Sequence, residues 1–571
     1  MKNINRYITL GLLGGMLAFH SCETTELDIT ANPNALTPDL ASADFLLNSI
    51  QEDFVRQFEG DSDFDANDNW ASGGNTTGDG FNELGQELTR IINMSGRNYV
   101  GDVYQASDMS DEWTNAYRGI LADIRAMTPL AEEAGQTHHI GIAQFIEAYL
   151  MVTLVDYFGD VPYSEAIQGG EQIFNPVVDP GADIYDAALV LLNEAIANFN
   201  SDASSDPSTD SYYNNDYDKW VLAANTLKMK IYLQRRLVDA SALASFNSIV
   251  SSGNYIQDTA DDFTYTWPAT SNTQPDSRHP WYALSYQTAG ANGYMSNWLM
   301  NLMDTTDDPR LRYYFYRQTS AVPGAEIAPN EELLNCSLEA PPQHYIDGGF
   351  TFCWLPNGYW GRDHGDADGI PPDGLLRAIY GVYPVGGLFD DDSFTPVGLG
   401  SGAGGSGVTN LLTAFGVDFM IAEAAMASGN TAGARTAMLD AFDKSVAKVQ
   451  GFLVGRESGA DVSFEPTAGE ITAYRDQIAA NFDAGNTDDK WNVLAEQYWI
   501  AWFGNGVEPY NFYRRNEYPT TLQPNLEPNP DTFILSMYYP SNAVNTNSNI
   551  SQKANQSQTV FWDTGGAPPA N

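Results

Sequence analysis

The stretch GRDHGDADGIPPDG places aspartates at short, alternating spacing. Asp363, Asp366 and Asp368 precede Gly369, and carboxylate oxygens at such spacing can converge on one hard cation. The glutamate that closes a complete calcium loop is absent, so the motif is only a fragment of that pattern. Two interpretations stay open, a structural calcium site and a solvated acidic turn.

Aromatic residues in loops rich in glycine or proline form a second group that could bind a ligand. Neutral sugars have apolar ring faces that stack on aromatic side chains, while their hydroxyls bond polar residues at the rim. Loops carry such contacts because rigid elements position them. The alternative is packing of each ring within its own loop. We expect at least two of these residues to contact ligand: Trp70, Trp281, Tyr282, Trp354, Tyr359 and Trp360.

Three cysteines occur in the chain. Cys336 and Cys353 lie close together in NCSLEAPPQHYIDGGFTFC, and an extracytoplasmic location would permit a disulfide between them. Two separate buried thiols are the alternative, because cysteine is often a core residue. The third, Cys22, lies in an N-terminal leader.

That leader has a positive tip at Lys2 and Arg6, followed by an apolar run over 8–19. The run is too short to span a bilayer and is typical of the core of a secretion signal. Ser21 is a small residue directly before Cys22. The leader resembles a bacterial lipoprotein signal, which predicts a signal peptide over 1–21 and Cys22 as the acylated anchor. An ordinary signal with an incidental Cys22 is the alternative, and no later segment is expected to span a membrane.

Composition sets further limits. The 571 residues include 43% hydrophobic and 12% aromatic ones, enough for a substantial core, and the formal net charge is −47. An acidic field of this size repels phosphate backbones and anionic lipid headgroups. Nucleic-acid binding is therefore not expected.

Helical periodicity dominates two regions, 38–250 and 411–515. One predicted helix carries Ile142, Phe145 and Tyr149 at spacings of three and four, and its other side is also apolar. Asp216 or Asp218 is a suitable N-cap for a second helix.

The region 254–410 lacks periodicity and is rich in proline, glycine and aromatic residues. Its stretch GLGSGAGGSG, at 398–407, is typical of a flexible surface loop. The tail over 516–571 looks extended. Helical pairs that flank a loop-rich insertion predict an α-solenoid scaffold with an irregular face.

Four blocks in order carry a resemblance to a known family. They are ELDITANPNALTP after Cys22, VDYFGDVPYSEAIQG, YDKWVLAANTLKMKIYLQRR and AEQYWIAWFGNGVEPYNFYRRNEYP. With the short SNAVNTNSN near the C-terminus, they resemble the SusD/RagB family of surface lipoproteins of the Bacteroidota.

The resemblance implies a single domain over 22–571. Its fold would be all-α dominated, a tetratricopeptide-like α-solenoid of about four helix pairs with small β elements in the insertion. It also implies a lipid-anchored protein on the outer face of the outer membrane that binds oligosaccharides, or peptides in some relatives. The partner would be a SusC-like TonB-dependent transporter, and neither catalysis nor a required cofactor is expected.

Two other classes stay open. A secreted glycoside hydrolase would need two carboxylates at a defined separation, and no pair stands out among 74 acidic residues. No G-x-S-x-G or H-E-x-x-H motif is present. A scaffold for protein partners alone would not require so many aromatic residues in the insertion.

Overall fold

The computed structural model describes residues 42–60, 80–94, 104–271, 276–286, 293–320, 340–353, 355–366, 376–528 and 532–565. Predictions on Cys22, Trp70, Cys336, Trp354 and Asp368 fall outside these ranges.

Helices make up most of the described chain. Their bounds are α1 Ala43–Glu59, α2 Phe81–Leu88, α3 Ser110–Thr114, α4 Ala122–Ala134, α5 Thr137–Phe158, α6 Gly181–Phe199, α7 Tyr217–Gln234, α8 Ala242–Ser252, α9 Pro280–Ser285, α10 Asn297–Thr305, α11 Leu311–Tyr314, α12 Gln343–Gly348, α13 Ala414–Ala427, α14 Thr431–Leu453, α15 Ala468–Ala484, α16 Thr487–Ala501, α17 Val507–Asn516 and α18 Ser541–Thr546. A π-helix over Asn115–Leu121 joins α3 to α4.

Consecutive helices pack in pairs: α5 on α6, α7 on α8, α13 on α14 and α15 on α16. Helix α6 also packs on α7, and α14 packs on α15, so each pair stacks on its neighbour. Contact of α7 with α13 joins the two halves across the insertion. This stacking is that of a tetratricopeptide-like α-solenoid, and it confirms the predicted fold class.

Helix α5 forms the centre of the first pair. It is the one helix in the described chain that is long and apolar enough to cross a membrane, and it is almost entirely buried inside the protein. Its C-cap is Gly159, which takes a positive φ of 77°. Asp216 caps α7 by accepting a hydrogen bond from the N–H of Lys219. Helix α5 is therefore a core helix, buried nearly all round.

Two small sheets organise the insertion. Strand β1 (Phe263–Thr266) pairs antiparallel with β4 (Val408–Leu412), and β2 (Phe315–Tyr316) pairs antiparallel with β3 (Ile379–Tyr380). Because β1 and β4 stand near the two ends of the insertion, their pairing closes its base against the helical scaffold.

The glycine-rich stretch 398–407 is packed and does not form the free surface loop that its composition predicted. The hydroxyl of Tyr282 donates a hydrogen bond to the carbonyl of Ser401 at 2.9 Å and accepts one from the N–H of Gly400 at 2.8 Å. Gly405 has a φ of +84°, and a Cβ there would lie 2.6 Å from Cδ1 of Tyr282. Glycine is used here for close approach to an aromatic ring.

The C-terminal tail lies on the scaffold. Its described part contains no named strand and one short helix, α18. The indole N–H of Trp562 donates to Asp156 of α5 at 2.9 Å, and Trp562 is fully buried. The tail therefore adds to the core of the first helix pair.

Candidate ligand-binding cleft

The structure buries every predicted ligand-binding aromatic residue that it describes. Trp281, Tyr282, Tyr359 and Trp360 are each no more than 5% exposed. The ring of Trp281 lies 5.4 Å from that of Tyr380, and Tyr282 stacks on Tyr286 at 4.4 Å. In the described chain these residues pack inside the insertion and do not form one open stacking platform.

Trp360 belongs to a small cluster with Tyr294, Phe352 and Cys353 that is separate from the main core. Its ring meets that of Tyr294 edge-on at 6.1 Å. The guanidinium carbons of Arg362 and Arg377 each lie 3.7 Å from the Tyr294 ring centroid. Two such groups cannot share one ring face at this distance, so both faces of Tyr294 are covered.

Tyr359 lies in a different environment from its neighbour Trp360. It lines a cleft of about 900 Å³ between the insertion and the last helix pair. A volume of this size is at the upper end of the range for small-molecule sites. The cleft thus contains one of the predicted residues and is the candidate functional site.

Two parts of the chain form the walls of the cleft. On one side stand the end of α10 with Asp304, the following turn with Asp307, and Arg312 of α11. On the other side stands the start of α15, where the Thr467 side chain and Glu470 form a reciprocal capping box. A capping box fixes a helix start because each side chain satisfies a free backbone N–H.

The buried side chain of Arg310 links the two walls of the cleft. It is 1% exposed and pairs with Asp308 at 2.6 Å. It also donates to Ser445 of α14 at 3.2 Å and to Gln497 of α16 at 2.9 Å. A buried charge with all these partners ties the insertion to the last two helix pairs, which makes the cleft floor rigid.

The Tyr359 ring is fixed by a neighbouring guanidinium. The Cζ of Arg317 lies 4.6 Å from the ring centroid, and Arg317 bonds both oxygens of Asp390 at 2.7 and 3.1 Å. Burial raises the pKa of Tyr359, so its hydroxyl stays protonated. Within the described ranges no protein group hydrogen-bonds this hydroxyl, although the residue is only 3% exposed. It is free to bond a ligand in the cleft.

The aspartates of the predicted calcium fragment lie elsewhere. Asp363 is buried, and its two oxygens accept hydrogen bonds from the N–H of Cys353 at 2.6 Å and from the amides of Asn297 and Gln523 at 3.2 and 3.0 Å. Burial raises the pKa of Asp363 to about 6 against the opposing effect of these donors.

This arrangement bears on both interpretations of the fragment. Asp363 is not part of a solvated turn, so that alternative is wrong for this residue. No cluster of His, Cys, Asp or Glu within the ranges listed above is arranged to hold a metal ion. Because Asp368 lies outside those ranges, calcium binding by Asp363, Asp366 and Asp368 stays a prediction.

Cys353 is disulfide-bonded. The predicted partner, Cys336, lies outside the described residues, so the pairing itself also stays a prediction.

Sequence reasoning missed most of the cleft. The run DTTDDPRLR at 304–312 has three aspartates followed by two arginines, and this concentration of charge was a usable signal for one wall. Nothing in the sequence connects it with Glu465 and Glu470, because the fold alone brings α15 beside α10.

Comparison with known families and solved structures shows which proteins the chain is similar to. Residues 66–326 match a SusD-like family described as starch-binding and associating with the outer membrane. Curated proteins yielded no match to the chain.

Solved structures of SusD-like proteins share the fold over most of the chain. A SusD/RagB family protein from Bacteroides thetaiotaomicron is 18% identical, with a TM-score of 0.60 over 92% of this chain and 100% of its own. A SusD homologue from Bacteroides fragilis is 16% identical, with the same TM-score and the same two coverages. A chitin-binding SusD homologue from Flavobacterium johnsoniae is 17% identical, with a TM-score of 0.59 over 85% of this chain and 94% of its own. Residues 66–326 thus match the SusD-like family, and most of the chain shares the fold of solved SusD/RagB family proteins.

Proposed function

We propose that this protein is a glycan-binding nutrient receptor of the outer membrane. It would hold an oligosaccharide at the cell surface and pass it to a SusC-like TonB-dependent transporter. The SusD-like match, described as starch-binding, and a structural neighbour described as chitin-binding support a glycan as the ligand.

One observation in the structure of this protein supports the proposal. Tyr359, whose hydroxyl has no hydrogen-bond partner among the described residues, lines the cleft together with Asp304 and Asp307. Sugar hydroxyls both donate and accept hydrogen bonds, so a tyrosine hydroxyl and carboxylate oxygens at one surface suit them. Buried ion pairs below keep these groups in place before the ligand arrives, which reduces the entropy lost on binding.

A peptide ligand is the second candidate. Extended peptides commonly bind by adding a strand to a free sheet edge. The described lining of the cleft comes from helices, turns and the segment after β2, and none of its residues belongs to a named strand. This favours an oligosaccharide over an extended peptide.

Hydrolysis is not part of the proposal. A glycosidase needs a general acid whose pKa is raised so that it stays protonated. Hydrogen bonds from Thr467 instead lower the pKa of Glu470 at the cleft rim. The related SusD-like proteins act as binders, and the same role is proposed here.

The lipid anchor at Cys22 and the transporter complete the proposal. A surface receptor delivers cargo efficiently only when it stays close to its channel, and several acyl chains on one cysteine would provide stable anchoring. A Cys22→Ala variant should appear in the soluble or unprocessed fraction of cells. Unchanged membrane fractionation of this variant would contradict the anchor.

Calorimetric titration of the purified protein without its leader tests the ligand class. The probes are maltohexaose, the hexamer of N-acetylglucosamine and a mixed-sequence hexapeptide. Saturable binding of either sugar, with no new reducing ends released during incubation, is the expected result. Saturation by the peptide alone would favour a peptide receptor, and released reducing ends would indicate a hydrolase.

A further inference from the structure

The charges in the cleft are not balanced. Resting on the proposed function, we infer that this cleft selects oligosaccharides that carry free amino groups over neutral ones and rejects acidic ones. The substrate class is thus an amino-sugar oligomer.

Both arginines at the cleft are already neutralised. Arg317 bonds Asp390 at 2.7 Å and also pairs with Asp392. Arg312 pairs with Asp392 at 2.9 Å, and its guanidinium covers the ring of Phe464 at 5.1 Å. The positive charges of the site are therefore committed to these two aspartates, which do not line the cleft themselves.

Four of the five carboxylates that line the cleft have no such counter-charge, and the fifth, Asp308, pairs with Arg310 at 2.6 Å. Asp304 accepts a hydrogen bond from the amide of Asn357 at 3.0 Å, and Glu465 accepts one from Tyr313 at 2.8 Å. Glu470 bonds only Thr467 in its capping box, and Asp307 is exposed without a hydrogen-bond partner. Across the described part of the chain, no basic side chain forms an ion pair with any of these four carboxylates.

An acidic cluster alone would not define a site, but a second observation points to a ligand. Tyr359 lines the same cleft and is only 3% exposed. No described group forms a hydrogen bond with its hydroxyl. A tyrosine hydroxyl without a protein partner can both donate and accept a hydrogen bond to a ligand in the cleft. A polyhydroxylated ligand supplies that partner, and its amino groups would meet the carboxylates.

The size of the preference follows from surface electrostatics. A charge a few ångströms from a carboxylate near water gains an energy that corresponds to a several-fold change in affinity per contact. We expect a cationic tetramer to bind about ten-fold more tightly than its neutral counterpart at low salt. The advantage should shrink to about two-fold at high salt, because mobile ions screen exposed charges.

The test is a calorimetric charge series on tetramers at about pH 6, where sugar amines are largely protonated. The probes are the tetramers of glucosamine, N-acetylglucosamine and galacturonic acid, each at about 20 mM and about 300 mM salt. A tetralysine peptide separates recognition of a sugar from simple attraction to a polycation.

Matched variants assign any preference to the cleft. Asp307→Asn removes one charge at a position with a φ of +58°, which asparagine adopts readily. Asp202→Asn removes the same charge from an exposed loop after α6, outside the cleft lining. Asp307→Asn should lower the affinity for the glucosamine tetramer about three-fold, and Asp202→Asn should leave it unchanged.

Each outcome has one meaning. Equal affinity for the amino and N-acetyl tetramers, or an equal effect of both variants, would overturn the charge selection and leave the glycan receptor intact. Tighter binding of galacturonate would also overturn it. Binding of tetralysine as tightly as the glucosamine tetramer would show that the cleft recognises cations and not amino sugars. If no sugar bound at all, the proposed function would fail as well.

Discussion

The guanidinium carbon of Arg317 lies 4.6 Å from the centroid of the Tyr359 ring. Asp390, itself 1% exposed, fixes Arg317 by bonding both its Nε and one terminal nitrogen. The ring is thereby held with its hydroxyl at the cleft, and this is the arrangement on which the binding proposal depends.

The Tyr359→Phe variant separates the contribution of the hydroxyl to ligand binding from that of the ring. The ring, its packing and the cation–π contact would remain, so the melting temperature should stay unchanged. Loss of one hydrogen bond to a ligand costs about 0.5–1.5 kcal/mol, which corresponds to roughly two- to twelve-fold weaker binding. Titration and thermal melting measure the two effects. Unchanged affinity would remove Tyr359 from the site, whereas Tyr359→Ala should lower stability by about 3–5 kcal/mol.

Glu423 supports a buried charge network below the scaffold surface. It bonds Arg515 at 2.6 and 2.7 Å and lies 3.1 Å from Arg236, with no exposure of its own. Glu423→Gln would leave two buried guanidinium groups without a full counter-charge. We expect a loss of about 3–5 kcal/mol in the free energy of unfolding, measured by urea denaturation. A loss below about 1 kcal/mol would contradict a structural role for the network.

The same network predicts acid sensitivity. Burial opposes ionisation of Glu423, but Arg515 and Arg236 together prevail and lower its pKa in the folded state. A carboxyl with a lowered folded pKa stabilises the protein above its unfolded pKa of about 4.3. That contribution disappears as the pH falls through the folded value. Urea midpoints measured downward from neutral pH should therefore fall more steeply in the wild type than in Glu423→Gln, and parallel curves would contradict this prediction.

Glu59 should make the free energy of unfolding depend on pH in the opposite direction. Burial raises its pKa to about 8, while Asn82 donates to one of its oxygens at 3.0 Å. In the unfolded chain this carboxyl ionises at about pH 4.3. The free energy of unfolding therefore falls as the pH rises from that value towards the pKa of Glu59 in the folded protein. Glu59→Gln keeps the acceptor for Asn82 and removes the titration. It should be more stable than the wild type by at least about 1 kcal/mol near pH 8, with a smaller difference near pH 5. A wild type that is equally stable at about pH 5 and about pH 8 would refute this pH dependence.

The predicted Cys336–Cys353 bridge has a direct chemical test. Mass spectrometry of the non-reduced protein should find one peptide pair joined through these two residues. In the chain-entropy view a loop of this length contributes about 3 kcal/mol, so Cys336→Ser should lower stability by a similar amount. Two thiols that can be alkylated in the native protein would exclude the bridge.

The scaffold was predictable because its signals are local. The apolar periodicity of Ile142, Phe145 and Tyr149 acts within helix α5, and the cap at Asp216 acts within helix α7. Such signals predict the helices, and the four blocks in order carry the resemblance to SusD/RagB proteins.

The cleft was not predictable, because its parts are distant in sequence. Tyr359 was chosen for its residue type, but composition does not distinguish it from Trp360, whose ring packs in a separate cluster. The glycines of 398–407 suggested a free loop, yet they allow close contact with Tyr282. In each case the burial of a loop residue depends on partners that only the fold brings together.

Hydrogen–deuterium exchange with mass spectrometry tests the central claim most directly, because it locates a ligand without assuming its pose. The hexamer of N-acetylglucosamine and the tetramer of glucosamine are the probes. The account predicts slower amide exchange in 304–317 and 463–477 of the wild type at a ligand concentration near its Kd, and loss of much of this protection in Tyr359→Phe at the same ligand concentration. Protection confined to other segments, or identical protection in the two proteins, would contradict the cleft as the binding site.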